Sequence, residues 1–412
     1  MSQTNKIKRN SIILMVIFSV IFGAAIINKV FSPKKIPPQA KEYFRKIEFK
    51  TFGGPAAEIG WDVASAKDGG FVICGDTRSF GAGGADVYLV KTDANGEMEW
   101  ARTFGDSGDE AGMSVVTAAD GGYVIAGGTK SFGNGETDMY IIKVDADGDC
   151  VWSRTIGGKD YDYAYSVKNT SDKGFIVAGY SSAEERSDAY VIKLDSSGKT
   201  QWEKKYGDYG WELAYSAVED NDKGYIICGY TTSTINAQSL IYLVKTDANG
   251  NSKWARTYGG ARENRGYYAL PDKDGGYVVA SKTTSYISKG VGWDMMAFKI
   301  DAKGNSLWTT FVPAADTDIG KTVLLDGDKK YVLGATKRCY GICDTDMCIE
   351  RVDAAGNTSM IRIYSGTGND TLNSILKDKD GNYIICGTTT SAGNGRSDMM
   401  LMKVGPDGEQ VW

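Results

Sequence analysis

Residues 68–100 read D-G-G-F-V-I-C-G-D-T-R-S-F-G-A-G-G-A-D-V-Y-L-V-K-T-D-A-N-G-E-M-E-W. Two runs rich in β-branched and aromatic residues, Phe71 to Thr77 and Asp86 to Thr92, are bounded by turns built from Asp, Asn and Gly. Asp68 can bond back to the turn backbone and the adjoining glycines accept positive φ, so the stretch predicts hairpins. Trp100 follows the turn glycine Gly96 by four residues, and no apolar spacing of helical period interrupts the pattern.

Outward from this cassette, its parts recur along the chain. The strand-opening aromatic returns as Tyr123, Phe175, Tyr225, Tyr277, Tyr331 and Tyr383, at intervals of 50 to 54 residues. Three residues before each stands Asp68, Asp120, Asp172, Asp222, Asp274, Asp328 or Asp380. The second turn recurs at Gly148, Gly198, Gly250, Gly304, Gly356 and Gly408. It is followed by Trp152, Trp202, Trp254, Trp308 and Trp412, with Met360 the exception. Each copy supplies four short strands as two hairpins. Seven such copies predict an all-β, seven-bladed β-propeller of four-stranded antiparallel blades. Ile47 to Gly54 (I-E-F-K-T-F-G-G) matches the fourth-strand pattern W-A-R-T-F-G of Trp100 to Gly105. An amino-terminal strand is therefore expected to complete the last blade and close the ring. Trp412 falls where that fourth strand would begin, which predicts either a short stub beside the amino-terminal strand or a ring that closes imperfectly.

Composition sets further bounds. The 412 residues include no His, which excludes Ser-His-Asp and Cys-His nucleophile systems, an imidazole base and His-ligated metals. A net charge of −5 without a basic block argues against nucleic acid. Lys6, Lys8 and Arg9 precede an uninterrupted apolar run from Ile12 to Ile27, which reads as a transmembrane or signal helix, retained or cleaved. The expected organisation is residues 1–31 as signal anchor or signal peptide, 32–43 as tether and 44–412 as propeller. Positive-inside orientation puts the propeller outside the cytoplasm, membrane-anchored or secreted.

The unit G-G-x(n)-[DE]-x-A-x-S-V-x-x-x-x-D-G-G-Y-V-I-A-G-x-T, followed by D-x-Y-x-x-K-x-D-x-x-G-x-x-x-W, resembles the tandem β-propeller repeats of bacterial and archaeal cell-surface proteins, over about residues 46–412. Its D-x-x-G-x-x-x-W portion is similar to the tryptophan-docking motif of quinoprotein propellers and of an outer-membrane assembly scaffold. The resemblance implies indole packing between blades; it does not extend to a quinone site.

Thirteen residues before each blade aromatic lies Glu58, Glu110, Asp162, Glu212, Asn264, Asp318 or Asp370. These oxygen ligands suit a Ca²⁺ or amine collar at one mouth of the channel, or else they accept backbone hydrogen bonds in every blade. Asp86, Asp138, Asp188, Asp294, Asp346 and Asp398 open the third strand and read as loop caps. Symmetry breaks in the loops between strands two and three and between blades. Tyr209, Trp211, Arg262, Arg265, Tyr286, Trp293, Arg338 and Tyr340 gather there as a candidate ligand face, because rings offer apolar faces and charges select orientation. Cys339 and Cys343 share one loop and are a candidate disulfide. Cys74, Cys228 and Cys386 read as small buried fillers. The expected function is a non-enzymatic binding or assembly scaffold for a protein or glycan partner, without a required cofactor. The alternatives are a carboxylate-dependent glycosidase or lyase and a structural surface-layer component.

Overall fold

A computed structural model describes residues 44–412 apart from 184–185, 287–291, 313–316, 328–329 and 339–343. The apolar run Ile12–Ile27, the tether, Tyr340 and the pair Cys339 and Cys343 lie outside the described residues. The described chain is all β. Blade 1 is the meander Glu58–Ser65, Phe71–Thr77, Asp86–Thr92 and Met98–Phe104, hydrogen-bonded in sequence order. The same antiparallel meander repeats through the blade that opens with Asp370–Lys377, giving seven blades. The first strand of every blade lies against the first strands of both neighbours, and the seventh returns to the first, so these strands line the central channel.

The turn chemistry acts as its residues require. Asp68 Oδ1 accepts the Gly70 N–H at 2.9 Å, and Asp172 Oδ1 accepts that of Gly174 at 3.0 Å. The same carboxylates hold a buried lysine of the third strand, Lys91 at 2.7 Å and Lys193 at 2.8 Å, tying the inner hairpin to the outer one. In blade 2 the two middle strands are buried along their whole length, whereas the fourth strand is largely exposed. The core is therefore divided among interfaces between blades.

Tryptophans seal those interfaces. The turn glycine of the next blade has positive φ, 84° at Gly148 and 80° at Gly198. A Cβ there would meet Trp100 at 2.9 Å and Trp152 at 2.6 Å, so only glycine lets the indole lie flat on the turn. Trp202 and Trp308 add Nε1–H hydrogen bonds to Ala248 O (3.1 Å) and Ala354 O (2.9 Å) of the following blades.

Closure follows the expected route with two differences. Lys50–Phe52 pairs antiparallel with Asp398–Val404, the third strand of blade 7, as its fourth strand. The Ile47–Gly54 segment contributes only these three residues to that ladder. Gln410 bridges Val404 on the same edge, and Val411 N–H donates to Lys403 O at 2.8 Å, so the outer strand of blade 7 is made from both ends of the propeller. Trp412 then packs on Gly96 of blade 1, its ring 6.3 Å from Phe71, as the sixth tryptophan of a row in which blade 6 has Met360. The second difference is in blade 6. Phe44–Lys46 pairs parallel with Thr358–Ser365, making a five-stranded blade where four strands were expected.

Candidate functional site

Each first strand slips register by one residue at the same place, two residues past its acidic or amide start. A bulge turns the extra residue out of the ladder. The seven bulged residues are Trp61, Met113, Tyr165, Tyr215, Tyr267, Lys321 and Asn373, and all seven line one cavity of about 450 Å³ in the channel. The backbone is seven-fold and the lining is not.

Blades 3 to 5 supply a continuous tyrosine wall. Tyr165, Tyr215 and Tyr267 follow one another with ring centroids 4.9 Å apart at each step. Tyr180 lies 5.9 Å from Tyr165, Tyr230 lies 5.9 Å from Tyr215, and Tyr163 stacks on Tyr180 at 6.4 Å. Burial pushes the phenols up, to about 12 for Tyr215, so the wall stays neutral and its hydroxyls keep their protons. Opposite, Trp61 Nε1–H donates to Asp76 Oδ1 at 2.8 Å, and burial lifts the Asp76 carboxyl to about 6.

Blades 5 and 6 supply cations. Arg265 and Lys282 face each other directly across the first two strands of blade 5. The equivalent pairs elsewhere are Ile59 with Asp76, Ala111 with Gly128, Tyr163 with Tyr180, Leu213 with Tyr230, Ile319 with Thr336 and Thr371 with Thr388. Arg265 lies over Tyr230 (4.8 Å) and Trp293 (5.6 Å), and Lys282 over Trp293 (4.0 Å) and Tyr267 (5.7 Å). Burial, with the charges of Arg265 and Lys321 nearby, lowers Lys282 to about 8, and burial alone lowers Lys321 to about 8.

The floor of the cavity is a charged crossbar. Lys168 of blade 3 reaches Asp62 of blade 1 at 3.6 Å and lies 5.9 Å from the ring centre of Tyr268 of blade 5. Asp62 also accepts from Ser114 Oγ at 2.7 Å and Ser374 Oγ at 2.6 Å. Five blades thus meet at one ion pair, and a separate cavity of about 280 Å³ lies at the same crossbar, lined also by Leu270 and Leu324.

The residues singled out from sequence divide between this site and other places. Arg265 and Trp293 join the channel mouth. Tyr286 packs 5.4 Å from Phe311 against the core of its own blade, and Tyr209 (91% exposed) and Trp211 stand out at the blade 4 rim. Arg262 is exposed on the loop entering blade 5, and Arg338 ends the second strand of blade 6. The first-strand acids are buried and engaged with their own loops. Glu58 accepts from Gly54 N (2.9 Å) and Thr77 Oγ1 (2.8 Å), and Glu110 from Asp106 N (3.0 Å) and Thr129 Oγ1 (2.8 Å). Asp162 accepts from Gly158 N (2.7 Å), Asp370 from Gly366 N (3.0 Å) and Thr389 Oγ1 (2.6 Å), and Glu212 from Ser233 Oγ (2.7 Å). Asn264 substitutes for the acid with the same kind of bonds, among them Nδ2–H to Ser239 O at 3.0 Å. No group of three His, Cys, Asp or Glu among the described residues could hold a metal ion, and the side chain of Asp318 is not among those described.

The tyrosine wall, Trp61, Lys282, Lys321 and the crossbar were not singled out from sequence. Trp61, Lys321 and the tyrosine ladder stand three residues after each first-strand acid or amide, where the copies read Trp, Met, Tyr, Tyr, Tyr, Lys and Asn, whereas Lys282, Asp62 and Lys168 occupy other positions.

No protein-family model matches the chain. The regulatory protein FlaEY of Caulobacter vibrioides is 29% identical over 136 residues, covering 30% of this chain but only 14% of that protein. Among solved structures, the periplasmic gluconolactonase PpgL of Pseudomonas aeruginosa is similar with a TM-score of 0.53 at 13% identity, over 82% of this chain and 93% of that one. An ulvan lyase of polysaccharide lyase family PL25 has a TM-score of 0.53 at 11% identity, over 88% and 97%. Sqt1 of Chaetomium thermophilum, bound to the N-terminus of the ribosomal protein L10, has a TM-score of 0.51 at 11% identity, over 88% of each chain. At these identities the likeness shows the β-propeller fold and nothing finer.

Proposed function

We propose that this protein is a binding propeller that takes a glycan at its channel mouth, held outside the cytoplasm by its amino-terminal apolar segment. The observation that carries this reading is the ladder Tyr165, Tyr215 and Tyr267, extended by Tyr163, Tyr180 and Tyr230. Sugar rings present flat C–H faces with hydroxyls at their edges, and neutral phenols meet both requirements. The ladder occupies three blades of seven, the asymmetry a specific ligand needs. The location rests on Lys6, Lys8 and Arg9 preceding Ile12–Ile27.

Binding is favoured over carboxylate catalysis because Asp62, the one acid lining the channel cavity, is committed to Lys168 and two serines. Propellers of similar shape bear the names of a lactonase and a lyase, so a reducing-sugar assay belongs beside the binding assay. A protein partner is favoured at one other place, the blade 4 rim, where Tyr209 and Ile235 are almost fully exposed.

The test is a titration of tryptophan fluorescence with a panel of oligosaccharides, since Trp61 and Trp293 border the site. At least one saccharide should quench or shift the emission, and Tyr215→Ala should weaken it about tenfold or more, as loss of a stacking platform requires. No response to any saccharide, or an unchanged affinity in Tyr215→Ala, would overturn the glycan reading. Protease protection of the propeller in intact cells would overturn the location.

A further inference from the structure

The cations at the mouth need an explanation the fold does not supply. Like charges directly opposite on adjacent strands destabilise a sheet. Blade 5 places Arg265 opposite Lys282, whereas five other blades carry neutral residues at both positions and blade 1 places Ile59 opposite Asp76. Lys282 is 9% exposed, yet no carboxylate among the described residues pairs with it, and its ammonium meets only the faces of Trp293 and Tyr267. Arg265 has one carboxylate, Glu263, at 3.5 Å, and its buried Nε has no hydrogen-bond partner. Lys321, the one cation among the seven bulged residues, donates to the neutral Asn373. Arg265 and Lys282 thus meet beside the tyrosine wall with Glu263 as the one carboxylate among the described residues paired with either, and Lys321 adds its charge from blade 6 with its ammonium 5.6 Å from the ring centre of Trp61, a deficit of negative charge that a bound anion would correct.

We propose that Arg265, Lys282 and Lys321 form an anion subsite for the carboxylate or sulfate of an acidic saccharide whose rings lie on the tyrosine wall. The inference rests on the glycan reading above and adds the charge class of the ligand. The cavity floor supports it. Lys168 is already neutralised by Asp62, so the unmatched charge lies at the mouth and not at the crossbar. An anionic group therefore stops at the Lys282 rim and leaves the adjoining rings to extend along Tyr267, Tyr215 and Tyr165.

The test uses the full chain in detergent at low salt. Tryptophan fluorescence follows titration with hexagalacturonate, with a κ-carrageenan hexasaccharide, which carries sulfate and no carboxylate, with neutral cellohexaose, and with inorganic sulfate alone. One acidic sugar should bind about tenfold or more tightly than cellohexaose, and which one does so separates carboxylate from sulfate. In Arg265→Met/Lys282→Met the preference should collapse to within about twofold while binding of the neutral sugar persists. The double variant should also melt at or above the wild-type temperature, because the like-charge contact is gone. Equal binding of neutral and acidic sugars, or an acidic preference that survives in the double variant, would overturn the anion subsite and leave the glycan reading standing. Binding of inorganic sulfate with no saccharide bound would overturn the saccharide assignment through failure of the glycan reading.

Discussion

At the residue scale, Glu350 shows what one substitution does inside a repeat. The third strand of each blade puts an apolar side chain at this position, Val90, Ile142, Ile192, Val244, Phe298 and Met402, and blade 6 alone buries a carboxyl there. Burial lifts Glu350 to about 7, against the opposing effects of the Thr358 hydroxyl and the Lys337 charge. The sign follows from linkage. The folded state holds the proton at a pH where the unfolded chain has lost it, so stability falls as pH rises from about 4.5 to about 7. A rise from the ordinary carboxyl range to about 7 corresponds to about 3 kcal/mol. Urea unfolding of wild type and Glu350→Met at pH 4 and pH 8 checks this. The variant should gain about 3 kcal/mol relative to wild type at the higher pH, and parallel pH profiles would contradict the assignment. Asp172 acts in the opposite sense. Burial works against its charge, but Lys193, the Thr170 hydroxyl and the Gly174 N–H hold it down to about 2. Its contribution is present above about pH 4 and is lost as pH falls through about 2, so wild type should lose an increment of stability there that Asp172→Asn lacks.

At the element scale, a tryptophan near the start of the fourth strand links a blade to the next in every blade but the sixth, which has Met360. Trp308 is the best buried of the row, 7% exposed, with its indole over Gly356 and 6.2 Å from Tyr331. Trp308→Ala should cost about 3–5 kcal/mol in equilibrium unfolding. Trp152 is only half-buried and should cost less, and a loss under 1 kcal/mol for Trp308 would refute the docking role. These elements were legible in the sequence because turn chemistry and alternation are local. Asp68, Gly96 and Trp100 each announce their own geometry. The bulge is different. It is set by how a first strand bends around the axis, so nothing local distinguishes Tyr165, which points into the channel, from its buried neighbour Ala164. Attention to loops therefore found Trp293, and Arg265 one residue into its strand, but passed over Lys282 and the tyrosine ladder, which lie within strands.

At the scale of the whole molecule, closure depends on one short segment. Lys50–Phe52 supplies three residues to blade 7, with Phe52 buried among Val63, Phe71, Ile384 and Leu401, where blade 7 meets blade 1. Ile47 is buried in the neighbouring cluster with Met360, Met402 and Val404, where blade 6 meets blade 7. Two interfaces therefore depend on residues that are remote in sequence from everything they touch. The closing strand was legible as a copy of W-A-R-T-F-G, whereas the parallel addition of Phe44–Lys46 to blade 6 was not, because backbone pairing at an open edge requires no side-chain pattern. The two strands should differ in weight. Removing 44–46 takes three backbone pairs from an edge that is already complete, and the melting temperature should move by less than about 2 °C. Removing 44–53 strips two buried apolar side chains and reopens the edge of blade 7. At about 2 kcal/mol for each side chain plus the lost ladder, the melt should fall by roughly 10 °C. Equal shifts for the two deletions would mean that closure resides in the Gln410–Trp412 stub and the docking of Trp412 on Gly96, and that the amino-terminal strand only covers an edge.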